Sequence, residues 1–150
     1  MNNKPRLIDW LARLGSAHVV CVGDVMLDRF VYGEVERISP EAPIPVLRID
    51  REAAMLGGAG NVVRNLVALG ARARFVAAVG DDGAGREVAA LLHEHDAVSA
   101  TLIAEPGRRT SIKTRYLAGT QQMMRADSET TAPVDDAARA GILDAVARAL

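Results

Sequence analysis

Cysteine is almost missing: Cys21 is the single thiol in 150 residues. No disulfide can form within the chain, which suits a reducing cytoplasm, and Cys21 sits in an apolar run where a buried spectator thiol is expected. Aromatic residues are equally scarce, with Trp10, Phe30, Tyr32, Phe75 and Tyr116 the full set. That leaves little to stack on nucleic-acid bases. Neither sign of charge dominates, since 18 Lys and Arg oppose 19 Asp and Glu for a formal net charge of −1. Bulk electrostatics therefore favour neither a nucleic acid nor a membrane surface as partner. No apolar run reaches the length that crosses a bilayer, and His18, His93 and His95 form no metal-ligand spacing with Cys21. Internal repeats and low-complexity segments are also absent.

What remains is an ordinary globular composition, 49% apolar and 25% charged, long enough for one domain with a real core and too short for two. The N-terminus imitates a signal peptide, because Lys4 and Arg6 precede Leu7-Ile8-Asp9-Trp10-Leu11-Ala12-Arg13-Leu14. Asp9 and Arg13 interrupt it, while Leu7, Leu11 and Leu14 recur at helical spacing. The expectation is a short amphipathic helix packed on the domain.

Val19 to Val22, Ala73 to Val79 and Thr101 to Ala104 are apolar runs without helical period, suited to parallel strands buried on both faces. Helical patterns lie between them at Asn61 to Leu69 and Arg86 to His95, with Gly70 placed to end the first. Such alternation argues for an α/β layered domain. Two regions break it. Residues 30–50 are strand-like but interrupted by Gly33, Pro40, Pro43 and Pro45, as in a small sheet outside the main one. Residues 110–127 read as a hairpin turning at Ala118-Gly119-Thr120, with Lys113 and Arg115 on one face and Ile112, Thr114 and Tyr116 on the other. Both suit a lid over the mouth of the domain. A last helix begins after Pro133, with Asp135 and Asp136 in its first turn, and runs to Leu150.

Three segments carry chemistry. Gly23-Asp24-Val25-Met26-Leu27-Asp28 reads as an acidic turn leaving the first strand, the usual place for a ligand in an open α/β sheet. Gly57-Gly58-Ala59-Gly60-Asn61 is a glycine-rich turn opening a helix, where backbone can approach a ligand closely. It matches neither G-x-G-x-x-G nor a P-loop, since Val63 takes the third glycine's place and no Lys-Ser or Lys-Thr follows. Asn61 is open to two readings, a polar contact to ligand or a simple cap. Carboxylates accept hydrogen bonds from vicinal hydroxyls, so Asp24 and Asp28 beside Gly58 and Asn61 point to polyol recognition. The third segment, Ser39-Pro40-Glu41-Ala42-Pro43, has no chemistry of its own but is distinctive.

Gly57-Gly58-Ala59-x-Asn61, with Gly70 and Gly80 downstream, resembles the first signature of the ribokinase-like (PfkB) carbohydrate kinases, although Val63 stands where that signature asks for Ser, Thr or Ala. Gly-Asp-Val-Met-Leu-Asp-Arg, Arg-Ile-Ser-Pro-Glu-Ala-Pro-x-Pro-Val and Gln121-Gln122-Met123-Met124-Arg125 resemble the D-glycero-β-D-manno-heptose 7-phosphate kinase branch, which serves ADP-heptose and lipopolysaccharide synthesis. The resemblance covers residues 17–150 and about the first half of such a kinase domain. It implies a ribokinase-like α/β fold: a partial doubly wound parallel sheet flanked by helices, with a small β-sheet lid at about 30–50 and 110–127. Asp28, Gly57, Gly58 and Asn61 are then substrate-binding, and Lys113, Arg115 and Arg125 belong to a lid closing over the sugar phosphate. A phosphate dianion makes strong charge-assisted bonds to such cations; which of the three touches it is left open. Thr120 replaces the Asn frequent in this branch. The lid also implies a homodimer.

Phosphoryl transfer needs a positioned base, an anion hole and metal-bound nucleotide phosphates. In these kinases base and anion hole belong to a second motif, Asp-Thr-x-Gly-Ala-Gly-Asp, which occurs nowhere in the chain. Gly80-Asp81-Asp82-Gly83-Ala84-Gly85 imitates it in the wrong order and reads as a strand-to-helix turn capped by Asp81 or Asp82. No catalytic residue is therefore assigned. ATP and Mg²⁺ are expected with the complete enzyme, on residues beyond Leu150, and the chain by itself is expected to be inactive. Two other readings compete: another sugar kinase of the superfamily acting on ribose, fructose phosphate or a nucleoside, and a non-catalytic sugar-binding or dimerisation module.

Overall fold

The computed structural model describes residues 4–150. The element order is α1 (Lys4–Leu14), β1 (His18–Val22), β2 (Val25–Ile38), β3 (Pro45–Gly58), α2 (Ala59–Ala68), β4 (Arg72–Gly80), α3 (Gly83–His93), β5 (Val98–Glu105), β6 (Ser111–Ala118), β7 (Gln121–Ser128) and α4 (Asp136–Ala149). Two sheets form. One is parallel in the order β1-β4-β5; the other is mixed in the order β3-β2-β6-β7.

β4 is the centre of the parallel sheet, and its period-two pattern explains the layering. Ala73, Phe75, Ala77 and Val79 point to one side, where they meet Val63 of α2 and Val88 and Leu92 of α3. Val76 is buried on the other side, where α4 buries Ala138 and Ala145 and sets Gly141 against Ile103. Helices on both faces of a parallel sheet give the expected doubly wound layering. The expectation that all three strands are buried on both faces fails: β1 and β5 are only partly covered, and Val22 is 49% exposed. With three strands, two are edges, and only β4 has neighbours on each side.

The two regions that broke the alternation join one sheet. β2 and β3 are antiparallel, β6 and β7 are antiparallel, and β2 and β6 run parallel side by side. The odd-numbered residues of β2 supply its apolar face, since Val25 and Leu27 join Leu56 and Ile112 against the core of the α/β layer. Gly33 stands at a register shift in β2, where a Cβ would collide with the Arg48 carbonyl. The prolines expected at edges fall at and outside the start of β3.

Several local expectations change. α1 is helical, but Leu7, Ile8, Trp10 and Leu11 are all at least 60% exposed and only Leu14 of the expected stripe is half-buried, so the helix meets the domain at its end and not along its length. Helical period specifies an apolar face and not what covers it. α3 begins at Gly83 rather than Arg86 and ends at His93, leaving His95 outside the helix. The reason is Asp82: its side chain accepts from Gly85 N–H at 2.7 Å and starts the helix three residues early. α2 starts from Gly58, at φ 56°, with no side-chain cap, so Asn61 is not the cap.

Candidate functional site

β1 ends at Val22, and Gly23 and Asp24 turn the chain directly into β2. Gly23 N–H donates to the Val76 carbonyl at 3.3 Å, tying this turn to the middle of β4. The Asp24 carbonyl accepts from Ala59 N–H at 2.8 Å, which joins the turn to the start of α2. A Cβ on Gly58 would stand 2.5 Å from that same carbonyl, so glycine is required there both for φ and for space. The acidic turn and the glycine turn are thus one structure, at the carboxyl end of a parallel strand.

Asp28 lies in β2, not in the turn where its sequence neighbours suggested. Its carboxylate occupies the space a Cβ on Gly57 would need, so Gly57 is what allows Asp28 to lie flat on the sheet. Gly57 opposes Met26, two pairs along from Asp28 and Met55, and so shares Asp28's face. Gly58, next in sequence, serves the opposite side and the helix start. Asn61 is in the first turn of α2 and exposed; its carbonyl accepts from Asn65 Nδ2 at 3.0 Å. Among the described residues no hydrogen bond links its side chain to Asp28 or Gly57. The structure therefore unites Asp28 with Gly57, and Gly58 with Asp24, while Asn61 stands alongside.

The lid residues sit beside Asp28 rather than above it. Asp28 is the register partner of Lys113, and Phe30 of Arg115. Across the next pairing, Lys113 opposes Asp127 and Arg115 opposes Arg125. Register partners share a face, so Asp28, Lys113, Arg115, Arg125 and Asp127 are on one side of one sheet. The separation of Lys113 and Arg115 from Ile112, Thr114 and Tyr116 is as period two required. A cationic flap roofing a separate mouth is not what forms. Because β2 and β6 are neighbours, carboxylate and cations make a continuous open surface.

Each cation on that surface has a carboxylate. Lys113 Nζ contacts Asp127 at 3.1 Å and Glu129 at 3.4 Å. Hydrogen bonding to Asp127, with the charges of Asp127 and Glu129, pushes the Lys113 ammonium above its ordinary range despite some burial. Arg125 places Nε and Nη2 on Asp127 at 2.9 and 3.0 Å. The Lys113 hydrogen bond above all, reinforced by Arg125, holds the Asp127 carboxyl below the usual range. Arg115 Nη1 meets Asp28 Oδ1 at 2.7 Å, both side chains largely covered, and its guanidinium lies 5.2 Å from the Phe30 ring centre. Asp127 and Glu129 escaped the sequence reading. The spacing Arg125-x-Asp127 on a strand was the available signal, since it puts opposite charges on one face.

The Gly80–Gly85 turn is sealed by its own side chains. Asp82 accepts from Thr110 N–H at 2.9 Å, from the Thr110 hydroxyl at 2.8 Å and from Gly85 N–H, while Gly80 N–H donates to Thr110 Oγ1 at 2.8 Å. Burial pushes the Asp82 carboxyl up, but those donors and Arg86 outweigh it and hold it below the ordinary value. It is a structural cap, as expected. Cys21 is only half-buried, less than its apolar run suggested, because β1 is an edge strand; what burial it has pushes the thiol up. A groove of about 540 Å³ lies at the opposite end of the parallel sheet, lined in part by His18, Arg72, Asp96 and Leu150, away from Asp28. Among the described residues no helix is long and apolar enough to cross a membrane, and no three His, Cys, Asp or Glu side chains gather as a metal site.

The chain is similar to known proteins. The bifunctional protein HldE of Paramagnetospirillum magneticum is 58% identical over all of this chain, which covers 31% of that protein. HldE of Rhodospirillum rubrum is 58% identical over 90% of the chain and 27% of its own length. The chain thus spans about a third of the curated relatives it matches. Among solved structures, a carbohydrate kinase from Agrobacterium tumefaciens superposes with a TM-score of 0.61 at 26% identity, over 75% of this chain and 35% of that one. Phosphofructokinase-2 from Escherichia coli, solved with fructose-6-phosphate, gives 0.60 at 20% identity over 88% and 41%, a likeness of fold. The pfkB family carbohydrate kinase model matches residues 16–147. With the ribokinase-like α/β fold, the glycine turn locked to the end of β1 and this match over most of its length, the chain belongs to the pfkB family of carbohydrate kinases.

Proposed function

We propose that this chain is the sugar-binding and lid-bearing part of an ATP-dependent D-glycero-β-D-manno-heptose 7-phosphate kinase of the cytoplasm, which transfers the γ-phosphoryl group to the C1 hydroxyl. The observation that carries the reading is the Asp28 carboxylate lying over side-chain-free Gly57, on the same sheet face as Lys113, Arg115 and Arg125. A carboxylate takes two hydroxyl protons as hydrogen bonds, and cations beside it take a phosphate dianion. One face then reads both ends of a phosphorylated polyol. Asn61, in the first turn of α2, is the further polar group offered to the sugar. Similarity to HldE over the whole chain supports the heptose branch.

What these residues do is bind and orient the acceptor; alignment alone is a large share of catalysis in phosphoryl transfer. Gly80 N–H and Gly85 N–H are taken by Thr110 and Asp82, so that turn serves as a structural cap. By itself it binds the sugar phosphate weakly and does not turn over. The lid sheet also joins two copies: the outer end of the β2–β3 hairpin exposes Ile38, Ile44 and Ile49 by more than half, an apolar edge suited to a second lid.

The test is a titration of the 150-residue chain with heptose 7-phosphate followed by amide NMR. Shifts at Asp28, Gly57, Gly58 and Asn61, lost in Asp28→Asn, are the expected result. Robust ADP formation by the chain with heptose 7-phosphate and Mg-ATP would overturn the assignment of catalysis elsewhere.

A further inference from the structure

The three lid cations are not equivalent, and their partners rank them. Lys113 is bracketed by two carboxylates, Asp127 and Glu129. Arg125 commits two nitrogens to Asp127. A phosphate approaching either has to compete with carboxylates that already satisfy the charge. Arg115 differs. Among the described residues it makes one side-chain hydrogen bond, through Nη1, leaving Nε and Nη2 with no protein acceptor. Its guanidinium is steadied over Phe30, which itself stacks with Tyr32 at 6.2 Å between ring centres. A fixed planar fork with unused donors is the geometry that suits a phosphate.

Its single partner is the carboxylate read as the hydroxyl acceptor. As long as Arg115 bonds Asp28 Oδ1, that oxygen is partly spent. An unphosphorylated sugar has to displace the guanidinium and offers it nothing in return. A phosphorylated sugar supplies a replacement anion, so Asp28 becomes available to hydroxyls as Arg115 turns to the phosphate. We propose that Arg115 is the phosphate-selecting residue of this site, and that its ion pair with Asp28 makes hydroxyl recognition conditional on the phosphate. This inference rests on the sugar-binding reading of Asp28.

The experiment is amide NMR titration of the chain with heptose 7-phosphate and with the same heptose lacking phosphate, comparing the ratio of dissociation constants. The wild-type chain is expected to prefer the phosphorylated sugar by about tenfold or more, as a charge-assisted contact provides. Arg115→Met is expected to bring the ratio to about twofold or less, partly because the unphosphorylated heptose binds more tightly once Asp28 is released. Arg115→Lys, which keeps the charge and the fold but loses the fork, is expected to fall between them. A larger loss of the ratio in Lys113→Met or Arg125→Met than in Arg115→Met would overturn the proposal. So would a wild-type ratio near unity, or an Arg115→Lys ratio equal to wild type together with an unchanged Arg115→Met. Equal binding of both sugars would leave Asp28 as a sugar site and remove only the selection. Binding of neither would remove the site reading and the selection together.

Discussion

At the scale of single residues, Asp82 shows how a motif that imitates catalysis is used for structure. Its carboxylate caps α3 and satisfies Thr110, which is only 3% exposed and itself accepts from Gly80 N–H. Asp82→Ala is expected to lower stability by about 2 kcal/mol, a lost cap together with a buried hydroxyl and amide short of a partner. Thermal or urea unfolding measures it. The direction of its pKa adds a pH dependence. Because the folded value lies below the unfolded one, the stabilisation is complete above the unfolded value, near 3.9 for Asp, and declines as pH falls through the folded value. Urea midpoints between pH 5 and pH 2 are therefore expected to fall more steeply for the wild type than for Asp82→Asn. A parallel pair of curves would show that the cap does not titrate in this range.

At the scale of elements, the long β2–β3 hairpin decides where the candidate site is. Its inner half packs Leu27 and Leu56 into the core, and the same strands carry Asp28 and Gly57 on the reverse face. Gly33 permits the register shift beyond them by letting the two backbones approach. Gly33→Val is expected to destabilise the chain by about 2 kcal/mol through overpacking against the Arg48 carbonyl, read by thermal melting. Sugar affinity should fall with it, because the pairing that aligns β2 with β6 is disturbed. An unchanged melting temperature would mean the hairpin absorbs the side chain elsewhere.

At the scale of the whole molecule, two sheets with different roles share one core. The parallel sheet places the Gly23–Asp24 turn and the glycine turn at its carboxyl end, while the mixed sheet extends Asp28 into a charged surface. The exposed Ile38 and Ile49 belong to the mixed sheet, and Ile44 to the loop that joins β2 to β3. If two lids pair, Ile38→Glu with Ile49→Glu is expected to convert a dimer into a monomer in analytical ultracentrifugation, with little change in melting temperature. A wild-type monomer at all accessible concentrations would exclude the pairing.

Sequence alone determined the alternation of strands and helices, the lid hairpin with Lys113 and Arg115 on one face, and the membership that the glycine turn announces. These follow from periods of two and 3.6 residues and from glycines whose φ or space no other residue supplies, all of which are local. Only the tertiary structure decided that Asp28 lies in a strand beside β6, that Arg115 is paired with it, and that Asp127 and Glu129 answer the other cations. It also decided that Leu7 and Leu11 of α1 remain exposed and that Asp82 reaches Thr110. The reason is the same in each case: such contacts join residues far apart in the chain, and their partners are chosen by strand register and packing between elements, which no local period encodes.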